Sequence, residues 1–510
     1  MIAVNYTFRT ISENIDGTVI TISPEAVIRD LAIDSRVISD PVASIFFAIK
    51  GRRDGHDYIS DAYNYGVRSF VVEQQEIVKK FPDANFIIVN NTLTALHELV
   101  AKHRSNFDLK VIGITGSNGK TIVKEWLYQL LAIDHTIVRS PKSYNSQIGV
   151  PLSVWQINKE NDLGIFEAGI SSINEMRHLE EIIKPTIGVL TNLTDVHAQG
   201  FASKDQKLEE KLSLFSNVSL FIYSPDYITS SKISIPGKVK FTWSTKQTAD
   251  LQVFAIEPIE GKSYLRATYR DEEIECLIPF SDKAAIENGI ICWATLLATG
   301  YSPEEADKRL EKLLRVGMRL ELKNGINNCS VIDDSYSADI SSLAIALDFL
   351  NQQNQHVNKT VILSDIYQTG KTSAALYEEV ALLLHQKNIG NLIGIGPDIS
   401  ANSKQFTMHA LFFESTESFI RDFPGLHFNN ESILVKGSRK FEFERISKLL
   451  TQKIHDTILE IDLTALAANL NFYKSRLQPK VKIMAMVKAF SYGSGSFEIA
   501  NLLQFHKVDY

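Results

Sequence analysis

The feature that most constrains this chain is a strand, a glycine loop and a helix in immediate succession, KVIGITGSNGKTIVKEWLYQLL, from Lys110 to Leu131. An apolar run that turns through glycines into a helix aims backbone N–H groups and the helix dipole at one point, which suits phosphate oxygens. Gly116, Ser117, Asn118 and Gly119 make the turn, Lys120 can reach outer phosphates, and the Thr121 hydroxyl can ligate magnesium. The strict pattern GxxxxGK(S/T) is not met, because Ile114 stands at its first glycine position and Gly113 lies one residue early. The flanking strand and helix carry the match instead. The expectation is an ATP-using enzyme; the alternative is a tight glycine turn at a strand end.

At 510 residues the chain is too long for one core. From Val27 to Val89, short apolar runs (SIFFAIK, RSFVVEQ, NFIIVN) and a helical pattern near Tyr58 to Tyr65 read as a small α/β region that closes on a helix around Thr92 to Arg104. After the glycine loop, LGIFEAG and TIGVLTNL extend an open nucleotide-binding sheet. A turn-rich, strand-like region from Val239 to Pro279 then leads to the helix AAIENGIICWATLLATG, and another helix ends near Arg315. From Arg319 to about His455, SVIDDS, TVILSD, NLIGIG and SILVKGS alternate with helical segments, as in a third, Rossmann-like α/β domain. TILEIDLTALAANL and VKIMAMVKAFSYGSG follow as strand, helix, strand. The expected boundaries are 1–108, 109–316, 317–456 and 457–510, with the last segment read as the start of a truncated fusion.

Several side chains stand where chemistry is plausible. Glu167 ends LGIFEAG, where nucleotide-binding sheets place a metal-bound carboxylate, against a capping or solvated glutamate. His197, in TNLTDVHAQGF, can reach the same region, although a lone loop histidine is more often structural. Lys211 in KDQKLEEKLSLF reads as one charge on a solvated helix. Asp333 and Asp334 follow the strand SVI, where a carboxylate either binds a ribose hydroxyl or caps a loop. Lys436 and Arg439 in VKGSRKF either bind phosphate or carboxylate or are ordinary surface cations.

Composition excludes more than it selects. A net charge of -7 gives no general attraction to nucleic acid or anionic lipid, so neither is an expected partner. Cys276, Cys292 and Cys329 are widely spaced and odd in number, which argues against a disulfide framework or a zinc site and for a reducing compartment. The N-terminal stretch lacks a basic segment followed by a long apolar one, and no run of about 18 apolar residues occurs, so a cytoplasmic protein without membrane insertion is expected.

Taken together, the motifs resemble the Mur ligases over roughly residues 10 to 450. They are DSR at Asp34 to Arg36, FFAIKGRRDGHDYISDA, TGSNGKT, YNSQIGVPLS, TNLTDVHAQGF, MRLE at Met318 to Glu321, IDDSY and LVKGSR. Within the family they are most similar to the branch that joins D-alanyl-D-alanine to UDP-N-acetylmuramoyl-tripeptide, so ATP and Mg2+, these two substrates, an acyl phosphate route and a monomeric ligase part are implied. The resemblance implies that Asp34, Ser35 and Arg36 hold the UDP-sugar and that Glu167 and His197 bind magnesium. It places the family's carbamylated lysine at Lys211, beside Lys120 and His197 in catalysis, although the usual glutamate two positions later is Ser213. It assigns Asn288 and Arg319 to ADP and Asp334 to its ribose. The family's DDSYNANP is DDSYSADI here, with Ser337, Asp339 and Ile340 as departures.

The tail resembles the beginning of an alanine racemase. Lys488 matches the lysine that carries pyridoxal phosphate there, and Tyr492 a residue near its phosphate. Racemisation by this chain is not expected. Beside the main reading stand a sister Mur or folate-type ligase with another amine acceptor, and a weakly catalytic scaffold for a racemase domain.

Overall fold

The computed structural model describes residues 6–38, 40–51, 53–141, 143–193, 201, 203–228, 234–316, 320–335, 338–353, 355–367, 371–452, 463–478, 481–488, 496–506 and 508–510. The chain forms two compact units. One comprises 1–109, 151–162 and 455–510, and the other 110–150 and 163–454. The boundary expected at 316/317 therefore runs inside the second unit. No helix among the described residues is long and apolar enough to cross a membrane.

In the first unit a five-stranded sheet runs in the order Thr18–Ile20, Asn85–Ile88, Ser69–Val72, Ser44–Phe47, Asp30–Ala32. Only the edge strand Thr18–Ile20 is antiparallel to its neighbour. SIFF and SFVV are buried at every position, which is why the sequence shows unbroken apolar runs there rather than alternation. The helix Thr92–Arg104 begins where the Asn91 side chain accepts from the Thr94 N–H, and Ile59–Tyr65 ends on Gly66 at φ 116.

The second unit holds two sheets. Its nine-stranded sheet centres on Lys110–Thr115, flanked by Leu163–Glu167 on one side and Ile187–Leu190 on the other, all parallel. Beyond Ile187–Leu190 come Leu220–Tyr223 and Val239–Ser244, also parallel, and then the meander Leu251–Ile259, Lys262–Tyr269, Glu272–Ile278. The helices Lys120–Leu131 and Lys283–Thr299 cover this sheet and share its largest core cluster. The six-stranded sheet has Ser330–Asp334, Glu431–Lys436, Asn358–Ser364, Asn391–Ile395 and His409–Phe413 parallel, with Glu321–Asn324 antiparallel at its edge.

The tail departs from expectation. The segment TILEID, 457–462, falls outside the described residues, and residues 481–487, expected as a strand, form no ladder among the described residues. A strand exists only through its neighbours, and here Ile483 and Ala485 find two backbone bonds to Tyr510 and one from the Ile483 N–H to the Asp509 carboxylate among the described residues. Two helices, Leu463–Arg476 and Ser496–Phe505, are present.

Candidate functional site

The glycine loop is shaped by close approaches that only glycine allows. Gly116 and Gly119 adopt φ 149 and φ 82, and a Cβ would lie 1.9 Å from Thr191 Oγ1 at the first and 2.2 Å from Asn288 Oδ1 at the second. The loop is also bonded from behind. Ser117 N–H donates to the Asn192 carbonyl at 2.7 Å, Asn118 N–H to Asn192 Oδ1 at 2.8 Å, and Thr191 Oγ1 to the Asn118 carbonyl at 2.6 Å. Thr191 and Asn192 were not singled out from the sequence. The available signal was two short polar residues directly after an apolar strand, beside the strand that feeds the loop.

Four predicted side chains converge on this loop. Lys120 Nζ folds back to the Gly116 and Ser117 carbonyls at 2.9 and 2.8 Å. Thr121 Oγ1 donates to Glu167 Oε2 at 2.8 Å, and Glu167 is fully buried at its strand end. Lys211 Nζ reaches the Gly116 carbonyl at 2.8 Å from the end of the helix Lys204–Leu212. Lys211 is buried, and desolvation, with Lys120 and Lys207 adding repulsion, pushes its pKa well below the ordinary lysine value. The solvated-helix expectation for Lys211 is thus overturned, because the last turn of that polar helix packs beneath the glycine loop. Lys207, one turn earlier, is buried as well and was missed for the same reason.

A cavity of about 650 Å³ opens from the loop, lined among others by Ser117, Lys120, Asn288 and Asp334. Asp334, at the end of Ser330–Asp334, accepts from Lys436 Nζ at 2.6 Å, so the buried Lys436 meets a carboxylate of its own chain. Arg439 donates to Ser143 Oγ at 2.9 Å. Asp333 points elsewhere and binds Lys323, Ser335 and Ser447. Burial alone would raise its carboxyl, but those three donors hold it below the usual value. One further buried cation escaped the sequence reading. Lys124, one turn into the helix that starts at Lys120, donates to the Ser140 carbonyl at 2.6 Å, and the Ser140 hydroxyl accepts from Glu167 N–H at 3.3 Å.

The predicted residues do not all belong to this region. Asp34, Ser35 and Arg36 lie in the first unit, where Asp34 accepts from the Arg36 backbone and guanidinium, an interaction that lowers its pKa. His197, Arg319 and Tyr492 fall outside the described residues. Lys488 is exposed.

For magnesium the donors fit. A hydroxyl and a carboxylate meet beside a phosphate-type loop, and Mg2+ is commonly held by one or two protein oxygens with phosphate and water completing its octahedron. Among the described residues no cluster of three His, Cys, Asp or Glu competes as a metal site.

Comparison with known proteins follows this geometry. The Mur ligase middle domain matches residues 114–296, and the alanine racemase N-terminal domain matches residues 461–510. The UDP-N-acetylmuramoyl-tripeptide–D-alanyl-D-alanine ligase of Rickettsia prowazekii is 30% identical over 421 residues, covering 79% of this chain and 91% of the relative. The ligase of the same description from Bacillus subtilis is 27% identical, covering 76% and 85%. A MurF structure from Acinetobacter baumannii superposes with a TM-score of 0.74 at 22% identity, covering 88% of this chain and 99% of that one. MurF ligase from Thermotoga maritima, solved in complex with ADP, gives 0.66 at 19% identity, covering 82% and 96%.

Proposed function

The chain belongs to the Mur ligases, and from that premise we propose that it uses ATP to join D-alanyl-D-alanine to the terminal carboxylate of a UDP-N-acetylmuramoyl tripeptide. The observation that carries the proposal is the convergence of Lys120, Thr121 with Glu167, and Lys211 on one glycine loop, beneath a cavity that extends to Asn288 and Asp334.

A carboxylate cannot acylate an amine directly, because its leaving group would be oxide. Transfer of the γ-phosphoryl group breaks the bond to ADP and forms an acyl phosphate. The dipeptide amine then attacks the acyl carbon, phosphate departs and the amine loses a proton. The N-terminus of the helix that begins at Lys120 orients the triphosphate, and the Lys120 ammonium neutralises charge that grows on the transferred group. Thr121 and Glu167 would hold magnesium, which supplies Lewis-acid charge at the same oxygens. Asn288 and Asp334 contact the nucleoside, while Asp34, Ser35 and Arg36 hold the UDP-sugar. The site of action is the cytoplasm, where ATP is supplied.

The direct test incubates the purified chain with ATP, magnesium, the UDP-muramoyl tripeptide and D-alanyl-D-alanine, and follows phosphate release and the pentapeptide product. Phosphate release that needs both substrates supports the proposal, and a chain that releases none contradicts it. Free D-alanine or other single amino acids in place of the dipeptide separate this acceptor from those of sister ligases. Lys120→Ala should lower turnover by about 100-fold or more, as loss of a transition-state charge contact does. Near-normal ligation by that variant would remove the loop from the mechanism.

A further inference from the structure

Strand spacing gives the cavity a ruler. Along the carboxyl edge of the nine-stranded sheet, the phosphate-type loop follows Lys110–Thr115, and the strands Ile187–Leu190, Leu220–Tyr223 and Val239–Ser244 lie one, two and three places away. At about 4.8 Å per strand, residues after the second and third of these stand about 10 to 14 Å from the loop. Tyr227 and Trp243 line the cavity there, with Glu287 beside Tyr227 on the helix Lys283–Thr299. A nucleotide whose phosphates occupy the loop can therefore reach Tyr227 and Glu287 with its base.

The chemistry at that end is one-sided. Tyr227 donates its hydroxyl hydrogen to Glu287 Oε1 at 2.6 Å. Burial first, and the Glu287 carboxylate second, keep that phenol protonated far above neutral pH. Oε1 is thereby held in place, and among the described residues Oε2 has no hydrogen-bond partner in the half-buried wall of the cavity. The nearby Asp226 is occupied in contrast, accepting from Ser244 Oγ and Gln247 Nε2 at 2.8 and 2.9 Å. A pre-oriented carboxylate oxygen accepts hydrogen bonds only, so it selects a base edge that offers N–H.

Resting on the reading of this cavity as the nucleotide site, we propose that Glu287, fixed by Tyr227, is a specificity-determining residue that accepts a hydrogen bond from the 6-amino group of adenine. Calorimetric titration of the full chain with magnesium tests this, using ATP, purine riboside triphosphate, which is ATP without the 6-amino group, and GTP as a third ligand. The wild-type chain should bind ATP at least about tenfold more tightly than purine riboside triphosphate, the worth of one hydrogen bond to a charged group. Glu287→Ala should bring those two affinities within about twofold of each other. Tyr227→Phe, which keeps the carboxylate but frees it to rotate, should retain part of the preference. An ATP preference that survives intact in Glu287→Ala, or tighter binding of GTP than of ATP by the wild type, overturns the inference while leaving the nucleotide site in place. If the wild type binds none of these triphosphates, the reading of the cavity fails and the inference with it.

Discussion

Lys211 is a side chain whose ordinary state does not suit its surroundings. An ammonium under the glycine loop, with Lys120 and Lys207 as its charged neighbours, carries a desolvation cost and two repulsions, which push its pKa well below the ordinary lysine value and make the neutral amine easier to reach. A neutral amine is a nucleophile toward carbon dioxide. Its nitrogen lone pair forms an N–C bond and a proton is released, leaving a carbamate whose oxygens suit a hard cation beside Thr121 and Glu167. If Lys211 works as a carbamate, activity in buffer stripped of carbon dioxide should fall severalfold and return on adding bicarbonate. Lys211→Ala should be about 100-fold slower and indifferent to bicarbonate. Steady-state assays in sealed vessels decide the matter, and equal activity with and without bicarbonate would argue for the plain amine. The burial of Lys211 was not read from KDQKLEEKL, where only Leu208 and Leu212 mark an inner face, because the loop that covers it lies far away in sequence; only the family resemblance singled it out. Glu167 was legible by contrast, since a carboxylate that closes an apolar strand beside a glycine loop has few roles.

The helix Thr92–Arg104 shows the same contrast within one element. A helix was expected around Thr92 to Arg104, and the structure returns it with Asn91 as its N-cap. Nothing in the spacing showed that His103, in its last turn, would be buried against Trp155 at a ring separation of 4.6 Å, with Tyr6 Oη 2.9 Å from its Nδ1. Burial lowers the His103 pKa from 6.5 to about 4. The unfolded chain therefore takes up this proton first as pH falls. The stabilisation is fully present above about pH 6.5 and is lost as pH approaches 4, to a total of about 3 kcal/mol. Urea unfolding of the first unit should show its midpoint dropping between pH 6.5 and 4.5, and His103→Phe should flatten that drop while keeping the ring packing. Parallel pH profiles for the two proteins would show that other groups dominate. Strands divided along similar lines. Doubly buried SIFF and SFVV announce themselves as apolar runs, whereas the edge strand His409–Phe413 and the short Leu220–Tyr223 were not singled out, and residues 481–487 have strand-like composition without a ladder among the described residues. Pattern reports what a face must bury, and only pairing decides whether a strand exists.

At the scale of the molecule, the division into two units separates the proposed ligand sites. The glycine loop, Glu167, Lys211, Asn288 and Asp334 belong to the second unit, and Asp34, Ser35 and Arg36 to the first. A ligand that binds only folded protein stabilises the unit whose folding creates its site, by about 2.7 kcal/mol at a free concentration of a hundred times its dissociation constant. Because unfolding entropy scales with chain length, that energy raises the midpoint of a unit the size of the second by only about 4 °C. Calorimetric unfolding should resolve into two transitions, of which magnesium with a non-hydrolysable ATP analogue moves only the larger. The UDP-muramoyl tripeptide should move the smaller through its UDP-sugar. Lys120→Ala should abolish the first shift and leave the second, since Lys120 and the Asp34–Arg36 segment fold in different units. Equal displacement of both transitions by the ATP analogue alone would mean that the units unfold as one cooperative body, so that neither ligand reports on a single unit.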